Sequence, residues 1–322
     1  MDKSLVGHTA LAVVAAIAAY VAWTKPSPGK RDPSIVVVAG SADRLTQVEW
    51  DDTGFHVTVD NDDGKLAVSS TVKNSKDEKR NVSGFPATEK SHELLKRLAP
   101  LKAERSLGKV EGPRLKEVGL EEPKQSLVLH FGDKPVKLDV GDAAFGTGSY
   151  YVRQSTGEVF LVPSESIQPF RGGAAGLIER MAVNLTREHV EQLTVTSEGS
   201  SRTLVHKNAA DRAQSFFADK STPDTKIEKA STWVDAVLRL RALSQAPEAP
   251  AGEPKLTVTL RGDDGRERMV KVYEPANETA TVVSTTFPKG VLVAKSTAEL
   301  LLKDAKQVLA EPASSEPRAS TP

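Results

Sequence analysis

Short runs of residues in which apolar and polar side chains alternate recur along most of the chain. A period of two places the apolar side chains on one face of a β-strand, and short strands separated by turn residues pair most simply as antiparallel hairpins. In residues 45–60, for example, Val48 and Trp50 alternate with polar neighbours before an Asp-Asp-Thr-Gly turn, and Val57 continues the alternation after it. The soluble part is therefore predicted to be mostly antiparallel β-sheet.

The predicted elements follow the same order in the two halves of the chain. Each half has a hairpin, a helix, a four-strand meander and a second helix. The predicted elements of the first half are the hairpin 45–60, a strand at 65–72, the helix 91–103, the strands 126–131, 136–140, 149–153 and 158–162, and the helix 163–181. Those of the second half are the hairpin 190–206, the helix 229–242, the strands 256–260, 269–273, 280–284 and 290–294, and the helix 298–309. Residues 126–140 can be laid over residues 256–272, which indicates an internal duplication.

Near the N-terminus, residues 5–23 form an apolar segment of nineteen residues that carries no formal charge. At a rise of ~1.5 Å per residue it makes about 28 Å of helix, which is close to a hydrocarbon core of roughly 30 Å. The membrane-contacting positions of the predicted anchor are Leu5, Leu11, Val14 and Ile17, with Tyr20 and Trp23 at the interface. Residues 1–33 are therefore predicted to be a membrane anchor with a polar linker.

Two other interpretations of this segment are a cleaved signal peptide and a buried helix of a soluble core. A cleaved signal peptide needs two small residues separated by one position at its cleavage site. Here Ala22 is small, but the bulky Tyr20 stands two positions before it. A helix buried in a soluble core would carry a polar stripe, and this segment is apolar all round. Lysine and arginine are more frequent after the segment than before it, which by itself favours a cytoplasmic C-terminal domain.

The sequence therefore predicts an α+β fold with an N-terminal transmembrane helix. Two tandem repeats of a mostly antiparallel β-meander with covering helices follow it. The predicted domains are the anchor and linker at 1–33, the first repeat at 34–184, the second repeat at 185–310 and a disordered tail at 311–322.

The overall composition excludes several classes of protein. Lysine plus arginine and aspartate plus glutamate number 43 each, so the formal net charge is zero. A nucleic-acid-binding domain normally carries a basic excess, so no nucleic-acid partner is expected. Cysteine is absent, which excludes disulfides, thiolate zinc sites, cysteine nucleophiles and a lipidated N-terminal cysteine.

Motifs that carry chemistry are sparse. None of the six histidines has the H-x-x-x-H spacing of a helical metal site. Residues 60–64 (DNDDG) resemble the start of a calcium loop, but Thr71 stands where the bidentate glutamate belongs, so a solvated hairpin turn is the simpler interpretation. Gly146-Thr147-Gly148 lies between strands and lacks the lysine of a phosphate loop. We therefore predict no catalytic residue, cofactor site or metal site, and a protein that is not an enzyme.

Several phrases of the sequence resemble the DUF4340 family of bacterial proteins. That family has an LGL-x-x-P phrase before a strand, which is matched here by VGLEEP at 118–123. Its VG, YYV and VYLVP phrases are matched at 140–141, 150–152 and 159–163, and a V-x-x-L-x-V strand is matched at 190–195. These phrases are structural and identify a fold rather than a reaction.

The resemblance implies a single-pass protein of the bacterial inner membrane whose soluble domain faces the periplasm. This orientation is opposite to the one that the lysines and arginines flanking the apolar segment weakly favour. It also implies association with ABC-type transport systems of the gliding-associated kind. The function predicted is thus a non-enzymatic accessory or scaffold subunit of an envelope transport or motility complex. Its partners would be membrane lipid, through the N-terminal helix, and a membrane or periplasmic protein. The alternative is a periplasmic glycan- or peptidoglycan-binding module, with Tyr150, Tyr151 and Phe160 as the candidate interaction surface.

Overall fold

The computed structural model describes residues 35–73 and 81–310. The predicted anchor, with Leu5, Leu11, Val14, Ile17, Tyr20 and Trp23, and the predicted tail at 311–322 lie outside these residues. Within the described ranges, no helix is both long enough and apolar enough to cross a membrane. The described residues form a mostly antiparallel β structure with few helices, so the predicted α+β class is confirmed.

The first sheet has nine strands, and its order is β5-β4-β3-β2-β8-β9-β10-β11-β7. The strands among described residues 35–163 are β1 Ile35–Val38, β2 Gln47–Asp51, β3 Phe55–Asp62, β4 Lys65–Val72, β5 Val82–Pro86, β6 Leu101–Ala103, β7 Arg105–Lys109, β8 Gln125–Phe131, β9 Lys134–Ala144, β10 Ser149–Gln154 and β11 Glu158–Pro163. Strands β1 and β6 pair separately as a two-stranded ribbon. The predicted alternation is found in the hairpin, where Val48 and Trp50 are fully buried opposite Val59 and Val57.

The second sheet has eight strands, and its order is β14-β13-β12-β16-β17-β18-β19-β15. Its strands are β12 Val190–Ser197, β13 Ser200–Lys207, β14 Phe216–Asp219, β15 Ser244–Gln245, β16 Leu256–Gly262, β17 Glu267–Val272, β18 Thr279–Ser284 and β19 Val291–Ala294. The central strand β12 buries Leu193 and Val195 on one face, while Thr194 and Thr196 lie on the other. Alternation again divides a core face from a more exposed one.

Helices cover the buried faces of the sheets. The described helices are α1 Glu89–Leu98, α2 Pro113–Glu117, α3 Ala230–Leu238 and α4 Lys295–Ala310. Leu94, Leu95 and Leu98 of α1 are buried at helical spacing, as the sequence predicted. In the second half the indole nitrogen of Trp233 on α3 donates to the carbonyl of Leu301 on α4 at 3.0 Å. This buried hydrogen bond fixes the two helices against each other.

Three predicted helices differ from the structure. The predicted helix 229–242 is too long at its end, since α3 stops at Leu238. The prediction of a helix at 163–181 is wrong, because only the short 3₁₀ helices Ser164–Ser166 and Gln168–Phe170 form there and turns follow them. Pro169 and the glycines after it interrupt an α-helix, and Gly173 has a positive φ of 66°. The predicted helix 91–103 is too long at its end, since α1 stops at Leu98 and residues 101–103 form β6.

A short connecting segment, residues 178–182, joins the two sheets and is called the seam segment here. On one side the Glu179 amide donates to the carbonyl of Pro86, the last residue of β5, at 2.7 Å. On the other side the Ala182 amide donates to Leu240 and the Ala242 amide donates to Arg180, both at 2.8 Å. The seam segment is thus hydrogen-bonded to both halves of the molecule.

Side chains reinforce this junction. The ring of Phe85 in β5 meets the ring of Phe287, which lies between β18 and β19, edge to face with centroids 5.9 Å apart. The side-chain amide of Gln245 in β15 donates to the Gly84 carbonyl in β5 at 2.7 Å. Most of the buried apolar residues of both sheets belong to one continuous cluster.

Candidate functional site

Residues of the phrases that carry the family resemblance meet at one end of the first sheet. At this end β8 begins, β9 ends, β10 begins and β11 ends. We call it the tip end and define it by the turn at residues 145–148 between β9 and β10. The loop at 118–123 packs against the last residues of β9 at this end.

Two glycines permit that close packing. A Cβ atom added at Gly141 would collide with the Val118 carbonyl oxygen and stand 2.9 Å from Leu120 Cγ. Gly119 has a positive φ of 69°, and a Cβ there would stand 2.7 Å from the Asp142 carboxylate. The Asp142 amide donates to the Val118 carbonyl at 3.0 Å, and Leu120 is fully buried. The glycines in both phrases therefore serve this loop-to-strand contact.

An open cleft of about 340 Å³ lies beside the contact. Its charged lining residues are Lys116, Glu121, Glu122, Lys124 and Asp142. The lining also includes Gln125, whose side-chain oxygen is buried without a hydrogen-bond partner. Three carboxylates and two ammonium groups in an open cleft suit polar contacts with a partner surface better than the binding of a single ion.

The predicted interaction surface is largely covered. Tyr150 and Phe160 are each 5% exposed, and Tyr151 is half-buried. The Tyr150 hydroxyl donates to Gln168 Oε1 at 2.7 Å and accepts from Arg171 Nη1 at 2.6 Å. Neither Tyr150 nor Phe160 therefore presents an open ring face, and Tyr151 is the one member of the three whose ring is partly accessible to a glycan.

Sequence reasoning missed Phe145, at the first position of the tip turn. This side chain is fully exposed, whereas the other exposed large apolar side chains of the described residues, Val36, Leu243 and Leu300, are about half exposed. Gly146 and Gly148 follow it with φ angles of 73° and 66°. The available signal was an aromatic residue in a glycine-rich turn between two strands.

A basic cleft of about 310 Å³ adjoins the tip end. It is lined by Lys96, Arg97 and Lys102 together with Pro163 and Glu165. Pro163 lies opposite Ser149 in the sheet, and the amide of the next residue donates to Gly148 in the tip turn at 3.0 Å. The basic side chains therefore stand close to the base of the turn that carries Phe145.

Four of the described histidines, namely His56, His130, His189 and His206, lie beside a carboxylate or a backbone carbonyl. His56 Nδ1 lies 3.2 Å from Asp51, and His130 Nε2 lies 2.9 Å from Glu49, although the latter pair lacks hydrogen-bond geometry. Among the residues the structure describes, no three histidines or carboxylates are grouped as a metal site requires. At the DNDDG sequence the chain forms a hairpin turn in which the Gly64 amide donates to the Asn61 side chain at 2.9 Å.

The fold and the tip end together define an α+β protein of two antiparallel sheets joined edge to edge. The sequence profile of one family, described as "Domain of unknown function (DUF4340)", matches residues 78–258. The chain belongs to this family, and the resemblance found in its sequence is confirmed. No curated protein and no solved structure matches the chain.

Proposed function

We propose that this protein is a non-enzymatic, membrane-anchored scaffold subunit of a bacterial envelope transport or motility complex. The observation that carries the proposal is the seam, because hydrogen bonds and a shared core join two large sheets into one broad body. A scaffold needs a rigid surface with fixed spacing between contact sites, and such a junction supplies one. The anchor at residues 5–23 would hold this body at the inner membrane, with the two sheets in the periplasm.

The partner in this proposal is a membrane or periplasmic protein, and an ABC-type transport complex is the specific candidate. That choice rests on the family resemblance alone. The open, polar cleft beside Gly141 supports a protein partner as part of an interface rim, since such rims are polar and accessible to solvent.

We also propose that the two halves arose by duplication of one unit. The strand orders support this. In each sheet a hairpin (β2–β3 or β12–β13) lies beside a four-strand meander, and a short strand (β7 or β15) pairs with the last meander strand. If each half is a unit, residues 185–310 expressed alone should give a dispersed amide NMR spectrum. An unfolded fragment would argue against two equivalent units.

Copurification from membranes tests the scaffold function. The full chain with a C-terminal tag is cross-linked in cells and extracted in detergent, and a component of a membrane transport system is expected among the captured proteins. The control chain carries Leu11→Lys, Val14→Lys and Ile17→Lys, which should abolish anchoring and capture together. Capture of peptidoglycan fragments without a protein partner would instead support the glycan-binding alternative.

Membrane orientation is tested separately. A protease added to spheroplasts reaches only periplasmic segments, so the tagged domain should be degraded while a cytoplasmic marker survives. Protection of the tag in intact spheroplasts, with degradation after lysis, would place the domain in the cytoplasm and exclude a periplasmic scaffold.

A further inference from the structure

The feature that sets the tip end apart is Phe145, whose ring is fully exposed at the end of a hairpin. A single exposed apolar side chain needs no explanation by itself. The position of Phe145 does need an explanation, because its side chain projects from the turn at the end of the sheet. Two residues of that turn, Gly146 and Gly148, have no side chain that could cover the ring.

The described chain begins near the base of this turn. Ile35 lies opposite Ala103 in the β1–β6 ribbon. Glu104, which follows Ala103 in the chain, accepts a hydrogen bond from the Ser149 hydroxyl at 2.8 Å. Ser149 in turn lies opposite Ala144, the residue before Phe145. At the other end of β10, the Gln154 side-chain amide donates to the Val37 carbonyl. Ile35, the first residue that the structure describes, therefore lies toward the tip turn.

The segment between the predicted anchor and Ile35 is short. Residues 24–34 number eleven, so they span at most roughly 36–40 Å when fully extended. Anchoring keeps the domain within that distance of the membrane, so its surface meets lipid at a high effective concentration. A contact between protein and lipid that is too weak to hold a free protein can therefore form in the anchored one. One apolar side chain with a few cations suffices under these conditions.

The cations are present beside the turn. Lys96, Arg97 and Lys102 line the basic cleft together with one carboxylate, Glu165. Lys96 also forms an exposed ion pair with Glu93 on its own helix, with the two side chains 2.8 Å apart. Lys102 lies opposite Val36, which is 51% exposed, so a second apolar side chain stands next to the basic group. Basic residues around an exposed aromatic ring match the headgroup and acyl regions of an anionic membrane surface.

We infer that the tip end is a second membrane contact, in which Phe145 enters the lipid interface and Lys96, Arg97 and Lys102 meet anionic headgroups. This inference rests on the anchoring proposed above. It fixes the orientation of the two sheets, because the tip end faces the bilayer and the turn at the other end of β9, around Asp133, points away from it. The eleven residues of β9 separate the two turns by roughly 33 Å.

The absence of cysteine allows a direct test on the full chain. Phe145→Cys and, as the matched control, Asp133→Cys are each labelled with the environment-sensitive fluorophore NBD. Both chains are reconstituted into vesicles of phosphatidylcholine with about one third phosphatidylglycerol. Doxyl-labelled lipid is expected to quench the fluorophore at position 145 at least twofold and to leave the fluorophore at position 133 unchanged. In the position-145 chain, the additional changes Arg97→Gln and Lys102→Gln should reduce that quenching.

The other outcomes separate the two proposals. If both chains float with the vesicles but position 145 is neither quenched by lipid nor shielded from aqueous iodide, anchoring stands and the tip contact is wrong. If position 145 is shielded from iodide without quenching by lipid, a protein surface covers it, and the lipid contact is again wrong. If the chains do not float with vesicles, the anchoring itself is contradicted, and the tip contact with it.

Discussion

The Arg180 guanidinium lies 5.3 Å from the centroid of the Phe85 ring, at the junction of the two sheets. The same group donates to the carbonyls of Ala242 and Leu243 at 3.2 and 3.3 Å. One side chain of the seam segment thus contacts an edge strand of the first sheet and the chain that leads into β15 of the second. Burial lowers the pKa of Arg180, and the charge of Arg241 acts in the same direction.

Replacing Arg180 with alanine should destabilise the protein by about 1–2 kcal/mol, because a charged donor to two carbonyls and a cation–π contact are lost together. Urea unfolding followed by circular dichroism measures the change. Arg239→Ala is the matched control, since Arg239 is exposed at the end of α3, and it should change stability by less than about 0.5 kcal/mol. Equal effects of the two substitutions would show that Arg180 does not hold the junction.

Gly141→Ala should destabilise the protein by about 1–3 kcal/mol, because the new methyl group collides with the Val118 carbonyl, a backbone atom that cannot turn aside. The thermal unfolding temperature measures this loss. Gly172→Ala is the control, since a Cβ at Gly172 meets no atom within 4 Å and the position lacks a positive φ. The idea of a tight loop-to-strand contact fails if both substitutions are equally well tolerated.

The alternation of apolar and polar residues predicted the strands of the core better than it predicted the edge strands or the pairing between strands. Val48 and Trp50 reveal β2 because each strand residue on the core face must be apolar. The pattern did not reveal β7, an edge strand of sequence RSLGK with no fully buried residue. The pairing of Gln47 with His130 was also out of reach, since it joins residues that are distant in the chain and depends on tertiary packing.

The candidate site was predictable only in part. The glycines at 119 and 141 stood out within the phrases that resemble the family, and the structure explains both by close backbone approach. Burial of Tyr150 was not evident, because an aromatic residue in an alternating strand can face either side. The exposure of Phe145 depends on how the turn projects from the finished sheet, and no local pattern encodes that.

The pair of His189 and Asp263 should make a contribution to stability that weakens as the pH rises. Their side chains are 2.6 Å apart, and the hydrogen bond to Asp263 raises the pKa of His189 above its ordinary value of about 6.5. The contribution is therefore complete below pH ~6.5 and is lost as the pH rises through the folded-state pKa. Because His189 is 59% exposed, salt should weaken the effect. An NMR titration of the His189 ring is expected to show a lower pKa in Asp263→Asn, and an unchanged pKa would contradict the pairing.

His206 should act in the opposite direction. Its ring stacks on Phe217 with centroids 4.3 Å apart, and its Nδ1 lies 2.9 Å from the Val190 carbonyl. Burial lowers the pKa of His206, and its other ring nitrogen is buried without a partner, so the folded protein favours the neutral ring. The contribution of this neutral ring is complete above pH ~6.5 and is lost as the pH falls through the lower folded-state pKa.

The measurement for His206 is the free energy of unfolding at pH values between about 4.5 and 7.5, for the parent chain and for His206→Phe. The phenyl ring keeps the stacking on Phe217 but cannot take up a proton, so the variant should lose less stability on acidification than the parent does. His92→Phe is the control, since His92 is half-buried on α1 in the first half of the chain, distant from this core. If His206→Phe and the parent chain follow the same pH profile, protonation of His206 does not limit the acid stability of the second sheet.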